Sequence, residues 1–182
     1  MADFYPEITA EQADLIANAP LFFVATADPQ LAEGPHGVGA VNVSPRGGVP
    51  LHILDPHRVA FLDYAGSGNE TARHALAGGP ITVMVCSFET EQAAIVRLYG
   101  TAIITPLAAS PLAEALLATV ATDLRLAPRQ VIEVVVTRTS TSCGYGVPAM
   151  QPIRERRVED RGRRYKVARQ PVRPTVEAMP DV

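Results

Sequence analysis

Cysteine and histidine are scarce in this chain, and neither occurs in a pattern that binds a metal. There are two cysteines, Cys86 and Cys143, and four histidines scattered along the sequence. Zinc-type sites need such residues at short, regular spacings, and a disulfide-stabilised fold needs more than two cysteines. We therefore expect no metal centre and no disulfide framework, and we interpret Cys86 as a small buried hydrophobic residue on a strand.

Long apolar runs are also missing. A membrane-spanning helix requires about 20 consecutive apolar residues. Charged residues interrupt the apolar segments before that length, namely Asp63, Glu70, Arg97, Asp123 and Glu133. The acidic N-terminal residues have neither the basic start nor the apolar core of a secretion signal. These absences predict a cytoplasmic protein without a membrane partner.

Lysine is almost absent, and positive charge is concentrated near the C-terminus. Residues 1–153 contain seven arginines, no lysine and fourteen acidic residues, a formal charge of −7. Residues 154–169 contain eight basic and three acidic residues, a formal charge of +5. Nucleic acid could bind such a segment, but its one aromatic residue, Tyr165, provides no stacking platform. We predict no nucleic-acid partner and interpret residues 151–182 as a basic arm that packs against an acidic partner subunit.

The apolar pattern that is present predicts a single domain of mixed structure. With 182 residues, 47% of them hydrophobic, the chain can form one substantial core. Strands are predicted at 21–27, 38–44, 49–54, 58–64, 80–88, 93–105 and 129–139. Helices are predicted near 8–18, 68–77 and 110–122, the last with Ser110 as cap and Pro111 at its first position. Because strands and helices do not alternate regularly, we predict an α+β fold with a small closed barrel. The alternative is an open antiparallel sheet with helices on one face.

A candidate anion site lies where the strand at 58–64 meets the following helix. Gly66 breaks the strand, and Ser67 with Glu70 forms a Ser-x-x-Glu capping box. A helix that starts there presents the amides of Gly68 and Asn69 at its positive end, where phosphate binds readily. Taken alone, this segment is more typical of an ordinary strand-to-helix turn than of an anion site.

Three segments in this order resemble the flavin-binding split-barrel family typified by pyridoxamine 5'-phosphate oxidase. They are residues 43–46, 61–69 and 96–100. In that family the cofactor site consists of a strand that ends in a basic residue, a Phe-rich strand that enters a Gly-Ser turn, and a strand reading Val-Arg-x-x-Gly. The resemblance covers roughly residues 20–140 and implies a small antiparallel Greek-key split β-barrel with flanking helices. We assign residues 1–150 to this FMN-binding domain. The resemblance also implies a homodimer that binds FMN between its subunits.

The chain departs from the vitamin-forming oxidases at several positions. Gly68 and Asn69 stand where those enzymes have two basic residues that hold the flavin phosphate. Val41 and Ile95 replace an arginine and a glutamine, and the C-terminal Arg-x-His signature has no counterpart. We therefore expect a family member other than the pyridoxamine 5'-phosphate oxidase itself, and weak rather than tight flavin binding.

The resemblance assigns cofactor contacts to individual residues. Backbone at Asn42, Val43 and Ser44 would line the flavin ring, and Arg46 would lie near the ring or the phosphate. The residues implied at the ribityl chain and phosphate are Leu62, Asp63, Ser67, Gly68 and Asn69, with Arg97 nearby. Cys143 and Tyr145 are candidates for lining the site, although Tyr145 fits a packing role in a glycine-rich turn equally well. Arg46 is expected to contribute more to cofactor affinity than any other side chain of the body.

The implied function is an FMN-dependent oxidoreductase that acts on a small organic substrate. One alternative is a flavin, deazaflavin or haem binding protein that acts as a carrier or sensor without turnover. Another is a dimeric module that has lost its cofactor. No residue is identified as a catalytic acid or base. Residues 95–104, apolar on both faces of the predicted strand, independently favour a homodimer.

Overall fold

The computed structural model describes residues 2–66, 68–120, 127–152 and 154. Most of the predicted basic arm, residues 151–182, therefore lies outside the described residues. The strands are β1 (Asp3–Tyr5), β2 (Leu21–Ala27), β3 (Val41–Gly47), β4 (His52–Asp55), β5 (Arg58–Tyr64), β6 (Ile81–Cys86), β7 (Ala94–Pro106) and β8 (Pro128–Cys143). The helices are α1 (Ala10–Asn18), α2 (Glu70–Leu76) and α3 (Ala113–Leu117), with short 3-10 turns at Pro35–Gly37 and Leu107–Ala109.

The eight strands form one antiparallel sheet. Its hydrogen-bonded order is β3-β2-β6-β7-β8-β5-β4, and β1 adds to β8. The two longest strands, β7 and β8, pair from Ala94 opposite Cys143 to Pro106 opposite Gln130. Within the described ranges the terminal strands β3 and β4 do not pair with each other, so the sheet is not closed there. The α+β prediction is confirmed, and closure into a split barrel stays a prediction.

The core is formed mainly by the buried residues of β2, β5, β6, β7 and β8. The five residues from Val59 to Asp63 are all buried, so β5 is covered on both faces. The rings of Phe22 and Phe61 meet edge to face with their centroids 5.1 Å apart, a geometry that adds to the stabilisation from burial alone. This packing fixes the end of β5, and with it the side chain of Asp63.

Helix α1 forms where the sequence predicts it, because its start is determined locally. Thr9 Oγ1 accepts a hydrogen bond from Gln12 N, and Gln12 Oε1 accepts one from Thr9 N. These two bonds complete a capping box.

The predicted start of α2 is wrong. The helix begins at Glu70, with Asn69 in the cap position and without a side-chain capping bond. Asn69 Oδ1 instead accepts a hydrogen bond from Gln130 Nε2 on β8. Glu70 is thus the first helical residue, which is incompatible with its place in the Ser-x-x-Glu capping box. Ser67 itself lies outside the described residues, and the helix has seven residues, too few for a strong helix dipole.

The third helix also begins later than predicted. Ser110 Oγ accepts a hydrogen bond from Leu112 N, which stabilises a local turn instead of the helix start. The helix therefore spans only Ala113–Leu117, and the predicted helical residues 121 and 122 lie outside the described residues.

Strand boundaries differ from the prediction by a few residues. β3 runs to Gly47, three residues beyond the predicted end. β8 extends to Cys143 because its C-terminal residues pair with the first residues of β7 and with the short strand β1. β1 was not predicted, since its three residues carry no periodic signal.

Candidate functional site

A polar cavity of about 400 Å³ lies between the ends of β3 and β5 and the start of α2. Its lining residues are Asn42, Ser44, Pro45, Arg46, Tyr64, Gly66, Gly68, Asn69, Glu70, Thr71 and Arg129. The alternation of β3 exposes Val41 and Val43, while Asn42, Ser44 and Arg46 are partly covered. The structure thus brings together the predicted basic strand and the turn residues Gly66, Gly68 and Asn69.

Asp63 is the centre of the charge network at this cavity. Its side chain is only 1% exposed, and its Oδ1 accepts a hydrogen bond from Arg46 Nη1. Its Oδ2 accepts bonds from Arg129 Nε and Gln130 Nε2, each at 2.7 Å. A buried carboxylate is tolerated only when it is paired and hydrogen-bonded in this way. Asp63 therefore holds two guanidinium groups in fixed positions beside the cavity.

Arg46 links β3 to the helix that follows the turn. Its Nη2 donates to Thr71 Oγ1 at 3.3 Å, and its guanidinium carbon lies 5.8 Å from the centroid of the Phe61 ring. Asn42 Nδ2 donates to the same Thr71 hydroxyl at 3.3 Å. Arg46 therefore lies beside this cavity, but much of its hydrogen-bonding capacity is used within the protein.

The start of β8 holds the turn that precedes α2. Arg129 Nη2 donates to the Gly68 carbonyl at 3.0 Å, and Gln130 Nε2 donates to Asn69 Oδ1 at 3.0 Å. Sequence reasoning missed both residues, because more than sixty positions separate them from the turn. It also missed Thr71 and Tyr64, whose side chains carry no local motif.

Three buried polar atoms of cavity-lining residues have no hydrogen-bond partner within the described part of the chain. They are Ser44 Oγ, Arg46 Nε and Tyr64 Oη. Burial raises the pKa of the Tyr64 hydroxyl above its ordinary value, so this group is a protonated donor at neutral pH. An unsatisfied buried polar group costs about 1–3 kcal/mol, and several beside one cavity indicate a missing ligand or ordered water. The cavity therefore fits a polar, hydrogen-bonding ligand.

Some predicted contact residues lie away from this cavity. Leu62 is a buried core residue. Arg97 lies on β7, where its Nη1 donates to Ser142 Oγ at 3.1 Å. Cys143 is exposed at the end of β8, and the Tyr145 side chain is 94% exposed. Within one chain, none of these four residues lines the 400 Å³ cavity.

Cys86 lies at the end of β6 and lines a larger cavity of about 680 Å³. Burial raises the pKa of its thiol, which the nearby Arg97 partly offsets. A thiol of this kind is unreactive. A further cavity of about 640 Å³ lies beside α1 and β4, but the unpartnered buried polar atoms of the described residues lie at neither of these two larger cavities. We therefore place the candidate site at the smaller one.

The described residues contain neither a metal-type side-chain cluster nor a membrane-spanning helix. In these ranges no three His, Cys, Asp or Glu side chains come close enough together to hold a metal ion. None of the helices described above is long and apolar enough to cross a membrane.

Two sequence comparisons with known proteins match the chain to the same family. Residues 8–143 match the profile of a family described as pyridoxamine 5'-phosphate oxidase. The pyridoxamine 5'-phosphate oxidase family protein ustO of Aspergillus flavus is 32% identical over 153 residues. This alignment covers 82% of the present chain and 57% of ustO, so the chain spans little more than half the length of that relative.

Solved structures show the same fold at low sequence identity. HupZ of group A Streptococcus superposes with a TM-score of 0.53 at 24% identity, covering 72% of this chain and 91% of HupZ. A candidate pyridoxamine 5'-phosphate oxidase of Lactobacillus delbrueckii superposes with a TM-score of 0.53 at 20% identity, covering 74% and 94% of the two chains. At these identities the likeness concerns the fold alone.

Proposed function

Because the chain belongs to the pyridoxamine 5'-phosphate oxidase family, we propose that it is a flavoprotein that binds FMN in the cavity beside Asp63. The observation that carries this proposal is the set of unpartnered buried polar atoms, Ser44 Oγ, Arg46 Nε and Tyr64 Oη, beside two fixed guanidinium groups. FMN offers hydrogen-bond acceptors for the donors and negative charge for the arginines. The proposed activity is an oxidoreductase that acts on a small organic substrate.

The residues of the cavity divide into two groups by what they can offer the ligand. Arg46 and Arg129 provide positive charge, and Ser44, Tyr64 and Thr71 provide hydroxyl groups. Bound FMN supplies the transfer of hydride or electrons, and the protein supplies binding and orientation. The split-barrel closure of the sheet is part of this proposal.

A flavin-binding protein without turnover is a second candidate. The cavity is lined or bordered by two arginines and two acids, Asp63 and Glu70, so its formal charge is balanced. A balanced site holds a phosphate less strongly than a cationic one. Weak binding of this kind favours a carrier that releases its flavin.

The first prediction is that the purified protein contains or takes up FMN. Titration of FMN with the protein should quench flavin fluorescence with a dissociation constant in the micromolar range. Reduction of the bound flavin by NADH or NADPH, followed by reoxidation, would support the oxidoreductase over the carrier. Absence of both flavin absorbance and fluorescence quenching would refute the proposed function.

We further propose that the protein is a homodimer and that the cofactor site needs both subunits. Val41 and Val43, 64% and 63% exposed, form an apolar surface on β3, and Ile103 is an exposed apolar residue of β7. Exposed apolar surface of this kind marks interfaces. A partner subunit would be needed to bring Arg97, Cys143 or Tyr145 to the ligand.

The dimer is tested by light scattering at micromolar concentration. We expect a mass of twice 19.4 kDa, because burial of these valines favours symmetric pairing. A Val43→Ser variant should shift the population towards the monomer, and Leu76→Ser, an exposed residue of α2, is the control. A mass near 19.4 kDa for the unmodified protein would exclude an interface site.

A further inference from the structure

We propose that Arg129, at the start of β8, recognises the phosphate of the bound flavin, whereas Arg46 is a positioning residue that also contacts the uncharged part of the ligand. This inference rests on the proposed function, because it assigns one end of FMN to one side chain. It differs from the sequence-based expectation, in which Arg46 contributes most to affinity.

The turn before α2 supplies no positive charge of its own. Gly68 and Asn69 are neutral, and the next residue, Glu70, is acidic and lines the same cavity. A phosphate at this turn must therefore be neutralised by a side chain from another part of the chain.

The charge network leaves one cation available for a ligand. Asp63 is a single carboxylate that hydrogen-bonds to the guanidinium groups of both Arg46 and Arg129. These three groups together carry one positive charge, which Glu70 balances formally over the whole cavity. A charge-assisted bond to phosphate is among the stronger contacts a protein makes. The Glu70 carboxylate lies beside Gly68 at the same turn, so it weakens the binding of an anion there.

Exposure and bonding indicate that Arg129 is the available cation. The Arg46 side chain is 18% exposed, and both of its terminal nitrogens donate within the protein, to Asp63 and Thr71. The Arg129 side chain is 27% exposed, its Nε donates to Asp63 and its Nη2 to the carbonyl of Gly68. Its guanidinium is therefore at the turn, where the local side chains provide no cation. Its Nη1 makes no hydrogen bond to the described residues, so one terminal nitrogen can donate to a ligand. The unpartnered Nε of Arg46 is buried and suits a neutral acceptor on the ligand.

The test compares FMN with riboflavin, which differs from FMN by the phosphate alone. Dissociation constants for both are measured by fluorescence quenching for the unmodified protein and for Arg129→Gln, Arg129→Lys, Arg46→Gln and Glu70→Gln. We expect the unmodified protein to prefer FMN. Arg129→Gln should weaken FMN binding about tenfold and leave riboflavin binding within about twofold. Arg129→Lys should keep most of the preference, because it keeps the charge.

The other two variants separate a phosphate contact from general damage to the site. Arg46→Gln should weaken both ligands by a similar factor, and Glu70→Gln should strengthen FMN binding about threefold without changing riboflavin binding. Each comparison uses two ligands on one variant, so a change in stability does not mimic a change in preference. A thermal melt of each variant verifies that the protein is folded at the temperature of the titration.

Several results would overturn the proposal. Equal losses for FMN and riboflavin in Arg129→Gln, or a larger loss of preference in Arg46→Gln, would assign the phosphate to another residue. Equal affinities in the unmodified protein would show flavin binding without phosphate recognition, which leaves the proposed function intact. If neither ligand binds the unmodified protein, the proposed function and this inference both fail.

Discussion

Replacement of Asp63 with alanine is expected to lower the free energy of unfolding by about 3 kcal/mol. The substitution removes the carboxylate that accepts bonds from Arg46, Arg129 and Gln130. Two partly buried guanidinium groups would then repel each other without a counter-charge. The value lies at the low end for a broken buried pair because both arginines retain some contact with solvent. Urea denaturation followed by circular dichroism measures the loss.

A surface carboxylate provides the matched control for this experiment. Asp55 pairs with Arg58 at 2.7 Å, but the side chains are 35% and 49% exposed. Solvent and salt screen exposed pairs, so they contribute little to stability, and Asp55→Ala should cost much less than Asp63→Ala. Asp63→Asn should fall between them, because it keeps an acceptor oxygen and loses the charge. Equal costs for Asp55→Ala and Asp63→Ala would show that Asp63 is not the centre of the network.

The second large effect is expected for Gly100→Ala, at about 3 kcal/mol of unfolding free energy. Gly100 lies at the register shift in β7, where the strand pairs with β8. A Cβ atom there would overlap the carbonyl oxygen of Val135 and lie 3.2 Å from the Cα of Val136. Both neighbours are backbone atoms of the longest strand pair, so they cannot rotate away as a side chain could. The alanine variant must therefore distort the centre of the sheet.

Gly146→Ala is the control for the glycine prediction. No heavy atom lies within 4 Å of a Cβ built at Gly146, and surface changes of this kind usually alter stability by less than about 0.5 kcal/mol. In thermal melts, Gly100→Ala should have a clearly lower melting temperature than Gly146→Ala. A Gly100→Ala variant as stable as Gly146→Ala would contradict the close backbone approach at the register shift.

Features encoded by neighbouring residues were predictable from the sequence. The capping box of α1 joins Thr9 and Gln12, three positions apart, and this helix forms where it was predicted. The equivalent prediction for α2 is wrong because Asn69 bonds to Gln130, 61 residues away. A local pattern cannot report a competing partner that only the folded sheet brings near.

The candidate site likewise combines residues that the sequence predicts with contacts that only the folded chain creates. Arg46 and Asp63 were each predicted from a resemblance, but their direct bond depends on the positions of β3 and β5 in the folded chain. Arg129 was recognised only as part of a strand, because nothing around it in sequence indicates a ligand. Its proximity to Gly68 follows from the antiparallel pairing of β5 with β8. The positive charge at this turn therefore comes from the pairing of the strands and not from the residues of the turn itself.

The position of β8 has a consequence for synthesis of the chain. This strand pairs with β7 along one edge and with β5 and β1 along the other, including Asp3 opposite Thr141. It is also the final strand of the described chain to leave the ribosome. Until it emerges, β5 and β7 each have an open edge, and unpaired edges are sites of aggregation. The nascent protein therefore depends on β8 to join the two halves of the sheet, and a chain that ends before residue 128 would expose the open edges of both β5 and β7.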